Sequence, residues 1–326
     1  MRRTFTLAAG AALVAAISLP ITLHAHRQWL FPSATVLSGS DPWVTVDAAI
    51  SNDLFYFEHF PMRLDNLVVT APDGTSAKAE NASTGRYRST FDVHLTQKGT
   101  YKIAVANNQV AASYTENGQP KQWRGTPDAF AKEVPAGAAD LKVSRTSGRV
   151  EVFVTSGSPS DTVLKTTGVG LELAPVTHPN DLVAGEAATF AFVLDGKPAA
   201  NLAVTLIPGG IRYRDTLGEI KATTDKDGKV TVTLPEPGMY WLNASYSEGG
   251  PTRQGPPSAP SPDGEPQDRQ RGGPSLTEQA APQQPPTAGP RAQGGPGGPG
   301  RMGPGNRPIV PGRRASYVAT LEVLPQ

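Results

Sequence analysis

Apolar and polar residues alternate with a period of two in one short run after another, and this rhythm is the strongest constraint on what the chain can fold into. It is legible in Trp43 to Ala49 (Trp-Val-Thr-Val-Asp-Ala-Ala), Leu67 to Thr70, Thr90 to Leu95 and Tyr101 to Val105. In a pleated strand, alternate side chains leave on the same face, so each run would have one apolar and one polar surface. Between the runs stand Ser38-Gly39-Ser40-Asp41-Pro42, Pro72-Asp73-Gly74 and Gln97-Lys98-Gly99-Thr100, which supply turn dihedrals at low steric cost. Short strands punctuated this often predict a β-sandwich. A second set predicts another: Gly170 to Leu173, Ala187 to Leu194, Ala203 to Ile207, Glu219 to Thr224, Lys229 to Leu234 and Gly238 to Ser245. The expected class is all-β, with two Ig-like or transthyretin-like sandwich domains over residues 26–169 and 170–326.

The stretch 111–165 has a weaker rhythm. Thr126-Pro127-Asp128 predicts a short helix through Lys132, with Thr126 as its cap and Pro127 at the first helical position, stopped by Pro135. Leu141 to Ser144 and Arg149 to Thr155 read as two extra strands on the first sheet. Thr224 to Lys229 includes an Asp-Lys-Asp-Gly run that resembles part of a calcium loop. It lacks the other ligand positions and the distal Glu, so it reads as a β-turn.

Residues 247–314 are rich in Gly, Pro, Gln and Arg and nearly devoid of aliphatic side chains. Such a tract cannot bury enough apolar surface to offset its ordering entropy and is expected to be disordered. Ala315 to Leu324 then alternates as a full strand, which makes the tract an insertion within the second domain. Its prolines suit either an inert tether or a segment that docks in an aromatic groove.

Met1-Arg2-Arg3 followed by the apolar run Leu7 to Leu19, with Pro20 and then Leu23-His24-Ala25, reads as a signal peptide over residues 1–25. The general secretory route is preferred over the twin-arginine route. The expected location is the periplasm or the exterior, with no membrane span after cleavage. Cysteine is absent, which excludes disulfides, thiolate metal sites and a cysteine nucleophile. Without Arg2 and Arg3 the balance of basic and acidic residues goes from 30 against 29 to 28 against 29, so no general basic surface invites nucleic acid.

No serine triad, phosphate loop or HExxH helix is evident, and the chain is not expected to be an enzyme. Cleavage after Ala25 would leave His26 with a free α-amine. That amine and the ring Nδ1 could close a chelate on copper or nickel. A third donor would come from the fold, with His59, Glu58, His94 and His178 as candidates. His59, inside Phe55-Tyr56-Phe57-Glu58-His59-Phe60-Pro61, is the preferred partner. Arg212-Tyr213-Arg214-Asp215 reads as a loop stapled to its own domain by Asp215, or as a seat for an anion.

The strings HRQWLFP (26–32), WVTVDAAISNDLFYFEHFP (43–61), LDNLVVTAPDG (64–74), THPNDLVAGE (177–186), PGGIRYRD (208–215) and GMYWL (238–242) resemble the DUF4198 family, exported proteins often labelled as nickel-uptake or nickel-transport associated. The resemblance covers nearly all of the chain after the signal except 247–314. It implies a role in envelope metal uptake, which carries over here only to His26 and His59. The expected function is binding or delivery of a nickel or copper ion, with that ion and an envelope transporter or receptor as partners. The competing expectation is a non-catalytic Ig-like structural or interaction module. A copper-dependent oxidative enzyme built on the terminal histidine would need a flat aromatic substrate face that the sequence does not reveal.

Overall fold

A computed structural model describes residues 26–248 and 309–326. The expected signal peptide, and the tract apart from its ends, lie outside the described residues. The described strands form sheets of five, ten and four strands, so the chain is all-β as its periodicity predicts. Several predicted runs fall where the alternation places them, among them Leu67–Thr70 and Ala187–Leu194. The helix is Pro127–Glu133, with the Thr126 hydroxyl accepting from the Ala129 amide at 3.3 Å.

The largest sheet runs, from one edge, through Ile220–Thr223, Ala203–Pro208, Gly238–Ser247, Gly312–Val323, Ala139–Ser156, Gly99–Glu116 and Leu67–Thr70 to Ser76–Ala77. A smaller sheet, built on Arg27–Pro32, Trp43–Ser51, Ser89–His94 and Ala79–Thr84, belongs to the first half of the chain. The third, built on Leu171–Pro175, Ala187–Leu194 and Lys197–Pro198, belongs to the second.

Two cores lie on opposite faces of the large sheet. Along Ala139–Ser156, Val150, Val152 and Val154 join Trp29, Val44, Phe91 and Ile103, whereas the intervening Phe153 joins Phe190, Phe192, Leu242 and Tyr317. Gly312–Val323 divides in the same way, Val318 to the first core and Tyr317, Ala319 and Leu321 to the second. A strand covered on both faces reads as an almost continuous apolar run, as Val150 to Val154 does. The expected boundary at 169/170 is thus spanned by a shared sheet. Gly312–Val323 pairs in parallel with Ala139–Ser156, from Ser144 with Gly312 to Val152 with Thr320, and antiparallel with Gly238–Ser247.

The two strands expected at 141–144 and 149–155 are one strand of 18 residues. Gly148 interrupts the apolar pattern but not the ladder, since it faces Asn107 on one side and Ser316 on the other. Asp225 confirms the β-turn: its Oδ1 accepts from the amides of Asp227 at 2.9 Å and Lys229 at 2.8 Å.

Residues 312–314, assigned to the tract by composition, belong to the last strand. Ser247 pairs with Arg314, and the Glu248 amide donates to the Arg313 carbonyl at 2.9 Å. The tract therefore joins neighbouring antiparallel strands. Replacing 249–308 with a four-residue turn is expected to leave the fold intact, since each halving of a closed loop lowers the closure cost by about 0.6 kcal/mol. A thermal melt checks this: an unchanged or higher Tm is expected, and a loss of the cooperative transition would contradict it.

Candidate metal centre

His26 and His59 are delivered by opposite neighbours of the strand Trp43–Ser51. Arg27–Pro32 pairs with one side, Arg27 facing Ser51 and Gln28 facing Ile50, which leaves His26 just beyond the ladder beside Asn52. Phe60–Pro61 pairs with the other side, Phe60 facing Ile50, and places His59 at the same end. The two imidazoles meet there with ring centroids 3.7 Å apart and an interplanar angle of 24°. Phe60 packs on His59 at 4.0 Å. The expected pair is therefore in contact across 33 residues of chain.

The surroundings of the pair are tightly bonded. His26 Nδ1 lies 2.8 Å from Asn52 Oδ1. The Asn52 side-chain oxygen only accepts, so this contact is a hydrogen bond in the form of the ring that carries a proton on Nδ1. The Asn52 backbone carbonyl accepts from the Arg27 guanidinium at 2.7 Å, and the Asn52 backbone amide donates to Glu58 Oε1 at 2.9 Å. Glu58 Oε1 also accepts from the Asp53 amide at 2.7 Å, while its Oε2 accepts from Arg212 at 2.8 Å. Arg212 bonds Asp53 Oδ2 at 2.7 Å with its Nε and lies 4.2 Å over the Tyr56 ring. This corrects one expectation. Arg212 is stapled to Asp53 and Glu58 in the first half of the chain, not to Asp215. Glu58, considered as a third donor, has three of its acceptor positions taken by two backbone amides and a guanidinium.

The remaining histidines lie elsewhere. His94 stacks on Trp43, with centroids 4.3 Å apart and planes 5° apart, and bonds Asp41. His178 Nδ1 accepts from the Asn180 amide at 3.0 Å and its Nε2 meets the Thr100 hydroxyl at 3.1 Å, tying the 177–181 turn to Gly99–Glu116. Among the described residues no group of three His, Asp or Glu side chains is placed to hold an ion. The donor expected from the fold, His59, is the ring brought against His26; among the described residues Glu58, His94 and His178 do not join them in a group of three. Asn52 was missed at the sequence level, where Ser51-Asn52-Asp53 looks like an ordinary turn after a strand.

Burial pushes the His59 ring below its ordinary pKa, the neighbouring His26 adds to this, and Glu58 opposes it. His178 is pushed in the same direction, chiefly by burial, against the Ser160 carbonyl and Asp161. Both folded pKa values lie below the unfolded value of about 6.5, so the unfolded chain binds more protons between the two. Their contribution to stability is present above about pH 6.5 and is lost as pH falls through the folded values. Thermal melts from pH 7.5 to 5 should show Tm falling with acid. The double variant His59→Asn/His178→Asn should show a flatter slope, and an unchanged slope would remove these histidines as the cause.

A family profile described as a domain of unknown function, DUF4198, matches residues 23–248. No curated protein matches the chain significantly. Among solved structures, the D0-D1 domain of intimin is similar at 13% identity with a TM-score of 0.17, covering 66% of this chain and 88% of that one. A D1-D4 ectodomain fragment of ICAM-5 is similar at 13% identity and a TM-score of 0.17, covering 67% of this chain and 45% of that one. At such scores neither likeness carries an argument about function.

Proposed function

This chain belongs to the DUF4198 family, and from that premise we propose that it is an exported protein that binds a copper or nickel ion at His26 and His59 and hands it on at the cell envelope. The observation that supports this is the ring contact at 3.7 Å between two histidines that share the end of one strand. Imidazole nitrogens suit late first-row divalent ions, with affinity rising toward copper. His59 is biased toward its neutral form, and the His26 Nε2 lone pair is not used by Asn52.

Two imidazole nitrogens on one ion stand about 3 Å apart, a spacing within reach of two rings whose centroids are 3.7 Å apart. Two protein donors leave coordination positions for water or for a receiving protein, which suits cargo that must leave again. An envelope transporter or receptor is the matching partner, in the periplasm or outside the cell.

Calorimetric titration of the chain beginning at His26 with copper(II) and nickel(II) tests the reading. His59→Ala should weaken binding at least about tenfold, or 1.4 kcal/mol, with the metal-free melting curve nearly unchanged. Equal affinity in both proteins would defeat the proposal. A second reading, a non-catalytic structural or interaction module, draws support from the Phe60 packing on His59, which suits an ordinary half-buried histidine. It predicts no ion binding in either protein.

A further inference from the structure

We propose that Asn52 fixes His26 in its Nδ1–H tautomer, so that the ion meets Nε2 and the α-amine of residue 26 takes no part. The proposal rests on the reading of the His26–His59 pair as the ion site. Its basis is the 2.8 Å contact between His26 Nδ1 and Asn52 Oδ1. Histidines that ligate a metal commonly donate their second ring N–H to a carbonyl or carboxylate, which sets the tautomer and the ring direction. Asn52 Oδ1 is in place to be that acceptor. The backbone that carries it is fixed: its N–H donates to Glu58, its main-chain carbonyl accepts from Arg27, and Glu58 in turn accepts from Arg212 of the second half of the chain.

A chelate through the terminal amine needs a lone pair on Nδ1, the atom that here donates a proton to Asn52. Forming it would break that bond and move the proton to Nε2. A hydrogen bond of ordinary net strength biases such a choice by about two- to tenfold. Asn52 is thus a positioning residue. It makes ion capture independent of whether residue 26 has a free amine, and so independent of where the preceding segment is cut.

Two measurements test this. In the metal-free, ¹⁵N-labelled protein, long-range proton–nitrogen spectra should give His26 a protonated Nδ1 and an unprotonated Nε2. Asn52→Ala should move the population toward Nε2–H by about two- to tenfold, and Asn52→Asp, which keeps an acceptor, should restore Nδ1–H. An Nε2–H ring in the unaltered protein, or no response to Asn52→Ala, overturns the proposal without touching the ion-site reading. In the second arm, copper(II) and nickel(II) are titrated into the chain beginning at His26 and into one with a glycine before it. Affinities should agree within about threefold. A hundredfold loss on adding the glycine would restore the amine chelate and overturn the proposal alone. No binding by either form, or binding unchanged by His59→Ala, would overturn the pair reading and this proposal together.

Discussion

A chain ended at Glu248 is expected not to fold, in either half, although the family match also ends at residue 248. What it lacks is the strand Gly312–Val323, which lies between Gly238–Ser247 and Ala139–Ser156 and is bonded to both. Val318, Tyr317, Leu321 and Val323 are buried, the first in one core and the others in the other. At about 1.5–3 kcal/mol for each such side chain, these four alone represent about 6–12 kcal/mol. That is comparable with the whole stability of an ordinary domain, about 5–15 kcal/mol. Loss of the strand also strips ladder partners from one long strand of each half. Circular dichroism and a thermal melt of residues 26–248 should give no cooperative transition. A native-like near-ultraviolet spectrum with a sharp melt would sink the idea that the last strand completes both cores. Adding a peptide of residues 309–326 should restore at least part of the transition.

Arg149→Ala should cost about 3–5 kcal/mol, the usual penalty for breaking a buried ion pair by removing one partner. Arg149 lies between two carboxylates that are each 3% exposed, bonding Glu151 Oε1 at 3.1 Å and approaching Glu172 Oε1 at 3.5 Å. The fully buried Tyr317 hydroxyl donates to Glu151 Oε2 at 2.8 Å, and the phenol stays neutral because burial and Glu151 push its pKa well up. For Glu172, burial acts to raise the pKa. The Thr167 amide and hydroxyl, the Arg149 charge and the Gly168 amide together outweigh it and hold the carboxyl below its ordinary 4.5. That contribution is present above the unfolded value and is lost as pH falls through the folded one. Without the Arg149 charge, one of the causes that hold the Glu172 pKa down is gone and that carboxyl takes up a proton more readily, so the penalty should shrink between pH 7.5 and 4.5. Urea melts at both pH values check this, and a loss below about 1 kcal/mol, the ceiling for exposed pairs, would show that the buried charges are solvated.

The all-β class was legible because a period of two is a local property. It needs only Val44, Val46 and Ala48 on one face of a strand and turn residues at its ends, and each such strand can be read without knowing its neighbour. The Thr126 cap was legible for the same reason. The cysteine-free composition likewise left packed cores as the source of stability before any contact was known. The first strand was harder: in Arg27–Pro32, Trp29 and Leu30 are consecutive and both fully buried, so the alternation is absent.

Other features depended on which strands meet. Backbone N–H and C=O groups are the same in every strand, so nothing local says that residues 312–320 run beside 144–152 and carry one sheet through both halves. Glu58 is bonded by Arg212, a residue 154 positions away. His26 and His59 could be singled out by residue type alone, but their contact arises because two neighbours of one strand end at the same level. The contact of His26 Nδ1 with Asn52 Oδ1 likewise needed the end of that strand in place. Periodicity and composition determined the kind of structure and the candidate donors; pairing partners and hydrogen-bond acceptors, which are long-range and chemically generic, were decided only when the cores closed.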